Sequence, residues 1–182
     1  DSVHTSFLHR KFEGSRRAGL GGMRSQAAAA RLDVKNTPYG YTYASMRPLG
    51  DDKGNYVRSY HYVMPFHQIR AIQEYTPEGA RTKFKMGGHM WVPMDDENCM
   101  VWNWYYSLDI PLSDDEREES FWGNGPQFVD AANGFMSYRN KRNDWMIDRQ
   151  VQKTETFTGI EGVNQQDRAL LESMGPIVDR SK

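Results

Sequence analysis

The chain has 182 residues, the size of about one domain with room for a real core. Its charges nearly cancel at a formal net charge of -1, which excludes the basic excess of a nucleic-acid binder, and no apolar run approaches the roughly 20 residues of a membrane-spanning helix. The single cysteine, Cys99, excludes an intrachain disulfide framework and a zinc site built on several thiolates, and it fits a reducing cytoplasm.

Residues 1 to 12 carry a helical pattern, with His4, Phe7 and Leu8 at i, i+3 and i+4, and Gly14 ends it. Residues 14–31 are rich in Gly, Arg and Ala and read as a mobile loop. Strand patterns begin near Val34. Residues 39–47 set Tyr39, Tyr41, Tyr43, Ser45 and Arg47 on one face, and residues 56–64 do the same with Tyr56, Tyr60, Tyr62 and Met64. The polar cluster Gly50 to Asn55 between them predicts a hairpin. Residues 66–75 fit a further strand.

A second hairpin is predicted over 83–94 and 99–108, joined at Asp95-Asp96-Glu97-Asn98. Phe84, Met86, Met90, Val92 and Met94 share a face on its first strand; Met100, Trp102, Trp104, Tyr106 and Leu108 share one on its second. So apolar a face is expected to be covered. Ser113 with Glu116 three residues on marks a helix start with a capping box, and the acidic run Asp114 to Glu119 reads as a solvated face. Residues 123–162 are irregular, which in a stretch of that length usually means function or the covering of a site. A last helix is predicted from about Asn164 to Met174, stopped by Gly175-Pro176. Together these elements predict an α+β layer fold: an antiparallel sheet of about five to seven strands, helices at its ends and one helix packed on it.

The residues that carry chemistry lie at the two ends. His4 and His9, five apart on an ideal helix, point roughly 140° from each other, so they converge only if the helix is distorted, for instance by a π-bulge. Alone, the pair also fits two ordinary histidines. Asp167 falls on the stripe Asp167, Leu170, Leu171, Met174 of the last helix, expected to face the core, where a carboxylate is costly unless paired or bound to a metal. An exposed first-turn position favoured by the helix dipole is the competing reading. Joined, His, His and Asp make the composition of a 2-His-1-carboxylate facial triad for Fe(II).

The segment Asp1-Ser2-Val3-His4-Thr5-Ser6-Phe7-Leu8-His9-Arg10 closely resembles the iron-binding motif of the α subunit of Rieske non-haem iron ring-hydroxylating oxygenases. Residues 91–97, 143–149 and 157–180 look like the phthalate 4,5-dioxygenase-type branch, so the resemblance covers essentially the whole chain. It implies that His4, His9 and Asp167 are metal ligands of a mononuclear Fe(II). It also implies that Asp1 is the catalytic aspartate linking that iron to the Rieske cluster of an adjacent subunit, and that the fold is the helix-grip (START-like) one.

A Rieske [2Fe–2S] cluster needs two Cys and two His, and this chain has one Cys. The resemblance therefore implies that residues 1–182 are a C-terminal catalytic domain, incomplete at both ends, with the cluster in the full-length protein only. The activity implied is hydroxylation or O-demethylation of an aromatic substrate, an aromatic carboxylate among the candidates, using O2. The partners implied are an electron-donating reductase or ferredoxin and further copies in trimers or stacked trimers of the full-length protein, with no nucleic acid and no membrane, in a bacterial cytoplasm.

Candidates for a pocket wall are Tyr43, Tyr60, Tyr62, His89, Met90, Trp102 and Trp104, although packing is the commoner role for each. Arg47, Arg58 and Arg149 are the cations considered for an anionic substrate. His61, His67 and Cys99 read as packing or surface residues. Two other readings stay open: a metal-free helix-grip module binding an apolar small molecule, and a metal-dependent hydrolase in which zinc activates water.

Overall fold

The computed structural model describes residues 4–12, 30–48, 54–75, 81–121, 123–179 and 181. The expected loop over 14–31 lies almost wholly outside these residues, as do Asp1 and most of the turn at 50–55. The chain divides into two compact units. One is built from Asp1–Ala30, Arg47–Tyr56 and Trp122–Lys182, the other from Arg31–Met46 and Val57–Phe121. The class is mixed α+β with a large antiparallel sheet. No helix among the described residues is long and apolar enough to cross a membrane.

The sheet has six strands in sequence order: β1 (Arg31–Thr37), β2 (Gly40–Pro48), β3 (Asn55–Val63), β4 (His67–Tyr75), β5 (Arg81–Pro93) and β6 (Cys99–Ser107). Both predicted hairpins are therefore present, as is the strand expected over 66–75. Tyr43 stacks on Tyr60 at 4.5 Å and 5°, and Tyr41 on Tyr62 at 4.9 Å and 11°, which ties β2 to β3 through flat ring faces.

The β5–β6 register pairs Met86 with Tyr106, Gly88 with Trp104, Met90 with Trp102 and Val92 with Met100. These residues share one face because side chains alternate along a strand. Gly88 is required there. A Cβ at that position would meet the Trp104 ring at 2.2 Å and the Gln68 carbonyl oxygen at 2.4 Å, so the indole lies directly on the bare backbone.

Among the described residues, the outer residues of this apolar face stay exposed rather than covered as expected. Trp102 remains 53% and Tyr106 43% exposed. On the opposite face Lys85 is buried, its ammonium 3.2 Å from Glu116 and over the Tyr105 ring. Glu116 belongs to α2 (Asp114–Phe121) and forms the predicted capping box, accepting from the Ser113 backbone N–H at 2.8 Å while its own N–H donates to Ser113 Oγ at 3.3 Å. Glu116 is thus a correction to the solvated reading of the acidic run: it caps its helix and pairs a buried lysine.

The other unit begins with α1 (Thr5–Leu8), then after the sheet continues through the two-stranded β7 (Val129–Asp130) and β8 (Met136–Ser137), α3 (Arg149–Thr154) and α4 (Val163–Ser173). The α4 boundaries agree with the predicted helix, but its buried side does not. Gln165, Gln166 and Ala169 are inside, whereas Leu170, Leu171 and Met174 are 37%, 48% and 49% exposed. Fixed polar partners explain the inversion. Gln165 Nε2 donates to the Gly123 carbonyl at 2.7 Å, and its Oε1 accepts from Ser137 Oγ at 3.0 Å. An amide so satisfied can be buried. Gly162 at the N-cap has φ +82° and lies close to Gly123, where a Cβ would be 3.0 Å from the Gly123 Cα, and this allows Gln165 its reach.

Candidate metal centre

The N-terminal segment holds its histidines at the two ends of a very short helix. His4 is the N-cap and His9 the C-cap of the four-residue α1, and His9 has left helical geometry at φ -96°, ψ 15°. The sequence required a distortion for the pair to converge. The structure supplies it by ending the helix between them rather than by a π-bulge. The two rings meet edge to face at 5.3 Å.

The segment is then stapled in place. The Phe12 N–H donates to the Glu155 carbonyl at 2.8 Å, the Phe157 N–H to the Arg10 carbonyl at 2.9 Å, and Lys11 bridges Thr156. Residues 155–157 lead within a few residues to Gly162 and α4, whose first turns carry Gln166 and Asp167. Segments about 145 residues apart in sequence are joined by backbone hydrogen bonds.

The three predicted ligands come together here. One ligand atom from each of His4, His9 and Asp167 lies within 4.8 Å of the other two. Asp167 Oδ1 is 2.9 Å from His4 Nε2 and 3.3 Å from His9 Nε2. Bonds of about 2.1 Å meeting at right angles would set ligand atoms about 3 Å apart, so the spacing fits three donors on one face of a metal. His4 Nε2 and Asp167 Oδ1 are close enough to hydrogen-bond, yet they are not aligned to do so, and neither buried atom makes any other hydrogen bond. Buried polar atoms seldom stay so. A cation between them would satisfy both.

Burial acts to raise the Asp167 carboxyl, but the pull of the two imidazoles outweighs it and holds the group far below the usual carboxylate range. The donor is thus an anion at neutral pH.

Gln166 completes the arrangement. Its Oε1 is 2.7 Å from His9 Nδ1, and its Nε2 donates to the Ile160 carbonyl at 2.8 Å. Sequence reading passed over it. Helical periodicity gives no signal for an amide one residue before a candidate ligand, about 100° round the helix from it.

The remaining candidates separate. Tyr43, Tyr60, Tyr62 and His89 share one face of the sheet, whereas Met90, Trp102 and Trp104 lie on the other. On the first face Gln68 Nε2 donates to Tyr43 Oη at 2.7 Å, and Arg70 reaches His89 at 2.9 Å while His89 also contacts Asn103. Arg70 is the cation the sequence did not single out. Of the three arginines that it did, Arg47 is buried, Arg58 lies over the Tyr60 ring and Arg149 is turned to Gln152. His61 bonds Tyr39, His67 stacks on Phe66, and Cys99 is exposed.

The model of the LigXa C-terminal domain-like family matches residues 1–182, so the chain belongs to that family and is a Rieske-type oxygenase catalytic domain. Two curated relatives are similar along essentially the whole chain. The 3-chlorobenzoate-3,4-dioxygenase oxygenase subunit of Comamonas testosteroni is 32% identical over 98% of this chain and 43% of its own length. The phthalate 4,5-dioxygenase oxygenase subunit of Pseudomonas putida is 31% identical over 100% of this chain and 41% of its own length. The chain thus spans about two fifths of the length of the relatives it matches.

Proposed function

We propose that this chain is the mononuclear-iron catalytic domain of an aromatic-ring oxygenase, in which His4, His9 and Asp167 hold Fe(II). The observation that carries the reading is the convergence of two imidazole nitrogens and one buried, anionic carboxylate oxygen at metal-ligand spacing. Iron bound there supplies the activation of dioxygen. The chain's own residues set the conditions. His4, His9 and Asp167 would hold the metal, Asp167 would contribute the negative charge, and the backbone staple at 155–157 fixes the histidine segment. A metal-free binding module would leave the buried His4 Nε2 and Asp167 Oδ1 with only their poorly aligned ion pairs.

The substrate class proposed is an aromatic carboxylate, in keeping with the names of both relatives. The reaction is hydroxylation or O-demethylation. The one cysteine cannot ligate a Rieske cluster, so electrons come from a cluster outside residues 1–182, fed by a reductase or ferredoxin, with Asp1 as the link. The helix-grip arrangement, the trimeric assembly and the bacterial cytoplasm belong to the same proposal. Anaerobic reconstitution tests it. The parent is expected to bind one Fe(II) per chain, and His4→Ala and Asp167→Ala each to lose it. Variants that retain as much iron as the parent would remove the triad.

A further inference from the structure

We infer that Gln166 is the positioning residue that holds His9 by its Nδ1–H and turns its Nε2 toward the metal site, an inference that rests on the reading above. The argument is one of donors and acceptors. The Ile160 carbonyl can only accept, so the Gln166 amide must face it with its NH2 group, at 2.8 Å. That orientation leaves Oε1 toward His9 Nδ1 at 2.7 Å. An amide oxygen can only accept, so Nδ1 carries the proton. The other ring nitrogen, Nε2, 3.3 Å from Asp167 Oδ1, is then the one that faces the site.

Gln166 is 7% exposed, so water competes little for either bond. Its neighbour cannot substitute, because Gln165 is committed to Gly123 and Ser137. Consecutive residues of α4 therefore address the two sides of the His9 ring: Gln166 at Nδ1 and Asp167 beside Nε2. Without that acceptor the His9 ring is free to leave Nδ1 bare or to turn, and the metal would have to select the ring that presents Nε2.

Two variants separate this role from plain packing. Gln166→Glu keeps an acceptor for His9 but loses the donor to Ile160, and Gln166→Met loses both. In the metal-free protein, two-bond 1H–15N spectra of labelled histidine, with His9 assigned by its loss in His9→Gln, should show Nδ1 protonated in the parent and in Gln166→Glu. Gln166→Met should show mixed tautomers. Calorimetry with Co(II) should find Gln166→Glu within about threefold of the parent or tighter, and Gln166→Met about 10–100-fold weaker. A role confined to Ile160 would weaken both variants alike, and that outcome, or a Gln166→Met that binds like the parent, overturns the inference. A parent that takes up neither Co(II) nor Fe(II) refutes the metal reading itself, and the role of Gln166 with it.

Discussion

At Asp167 two opposing effects meet: burial, which favours the neutral acid, and the adjacent imidazoles, which favour the anion and win. The folded carboxyl therefore titrates below its unfolded value of about 3.8. The unfolded state binds more protons across that interval, so the stabilisation is fully present above the unfolded value and is lost as pH falls through the folded one. Asp167→Asn in the metal-free protein is expected to flatten the fall in thermal midpoint between about pH 5 and pH 2. An unchanged acid limb would mean that the histidines do not hold the carboxylate. The two histidines and the aspartate were legible as residue types, since few chemistries call for that set. Gln166 was not, because its bond to His9 Nδ1 depends on where an unrelated carbonyl, that of Ile160, is placed in space.

The elements were easier to locate than to orient. The two hairpins follow from strand alternation and polar turns, and both are in the sheet. Helix α4 ends within a residue of its predicted limit. Its apolar stripe was expected inside with Asp167 among it, yet Leu171 and Met174 are about half exposed, and two glutamines with assigned partners take the interior. Asp167 was thus found by a stripe argument whose own premise fails; its position follows from adjacency to Gln166 rather than from the leucines. Polar burial of this kind has no periodicity signature. The same contacts make glycine positions exacting. Gly162→Ala places a side chain at φ +82° against Gly123 and is expected to cost about 1–3 kcal/mol in chemical denaturation, with Fe(II) affinity falling as α4 shifts. Gly88→Ala, which forces a Cβ into Trp104 and the Gln68 carbonyl, is expected to cost about 3 kcal/mol in chemical denaturation.

Over the whole molecule, the metal residues lie in one compact unit and the sheet, with its Arg70–His89–Asn103 cluster, forms most of the other. This chain matches about two fifths of its relatives' length and carries one cysteine. On the proposed function, residues 1–182 are expected to bind Fe(II) yet show no sustained oxygenation with a reductase until a Rieske-bearing polypeptide is added. The proposed ligands are tested most directly by iron K-edge X-ray absorption on the Fe(II)-loaded protein. The expected spectrum has a shell of nitrogen and oxygen at about 2.1 Å with multiple scattering from two imidazoles, one of which vanishes in His9→Ala. Iron bound without imidazole scattering, or a spectrum that His9→Ala leaves unchanged, would contradict it.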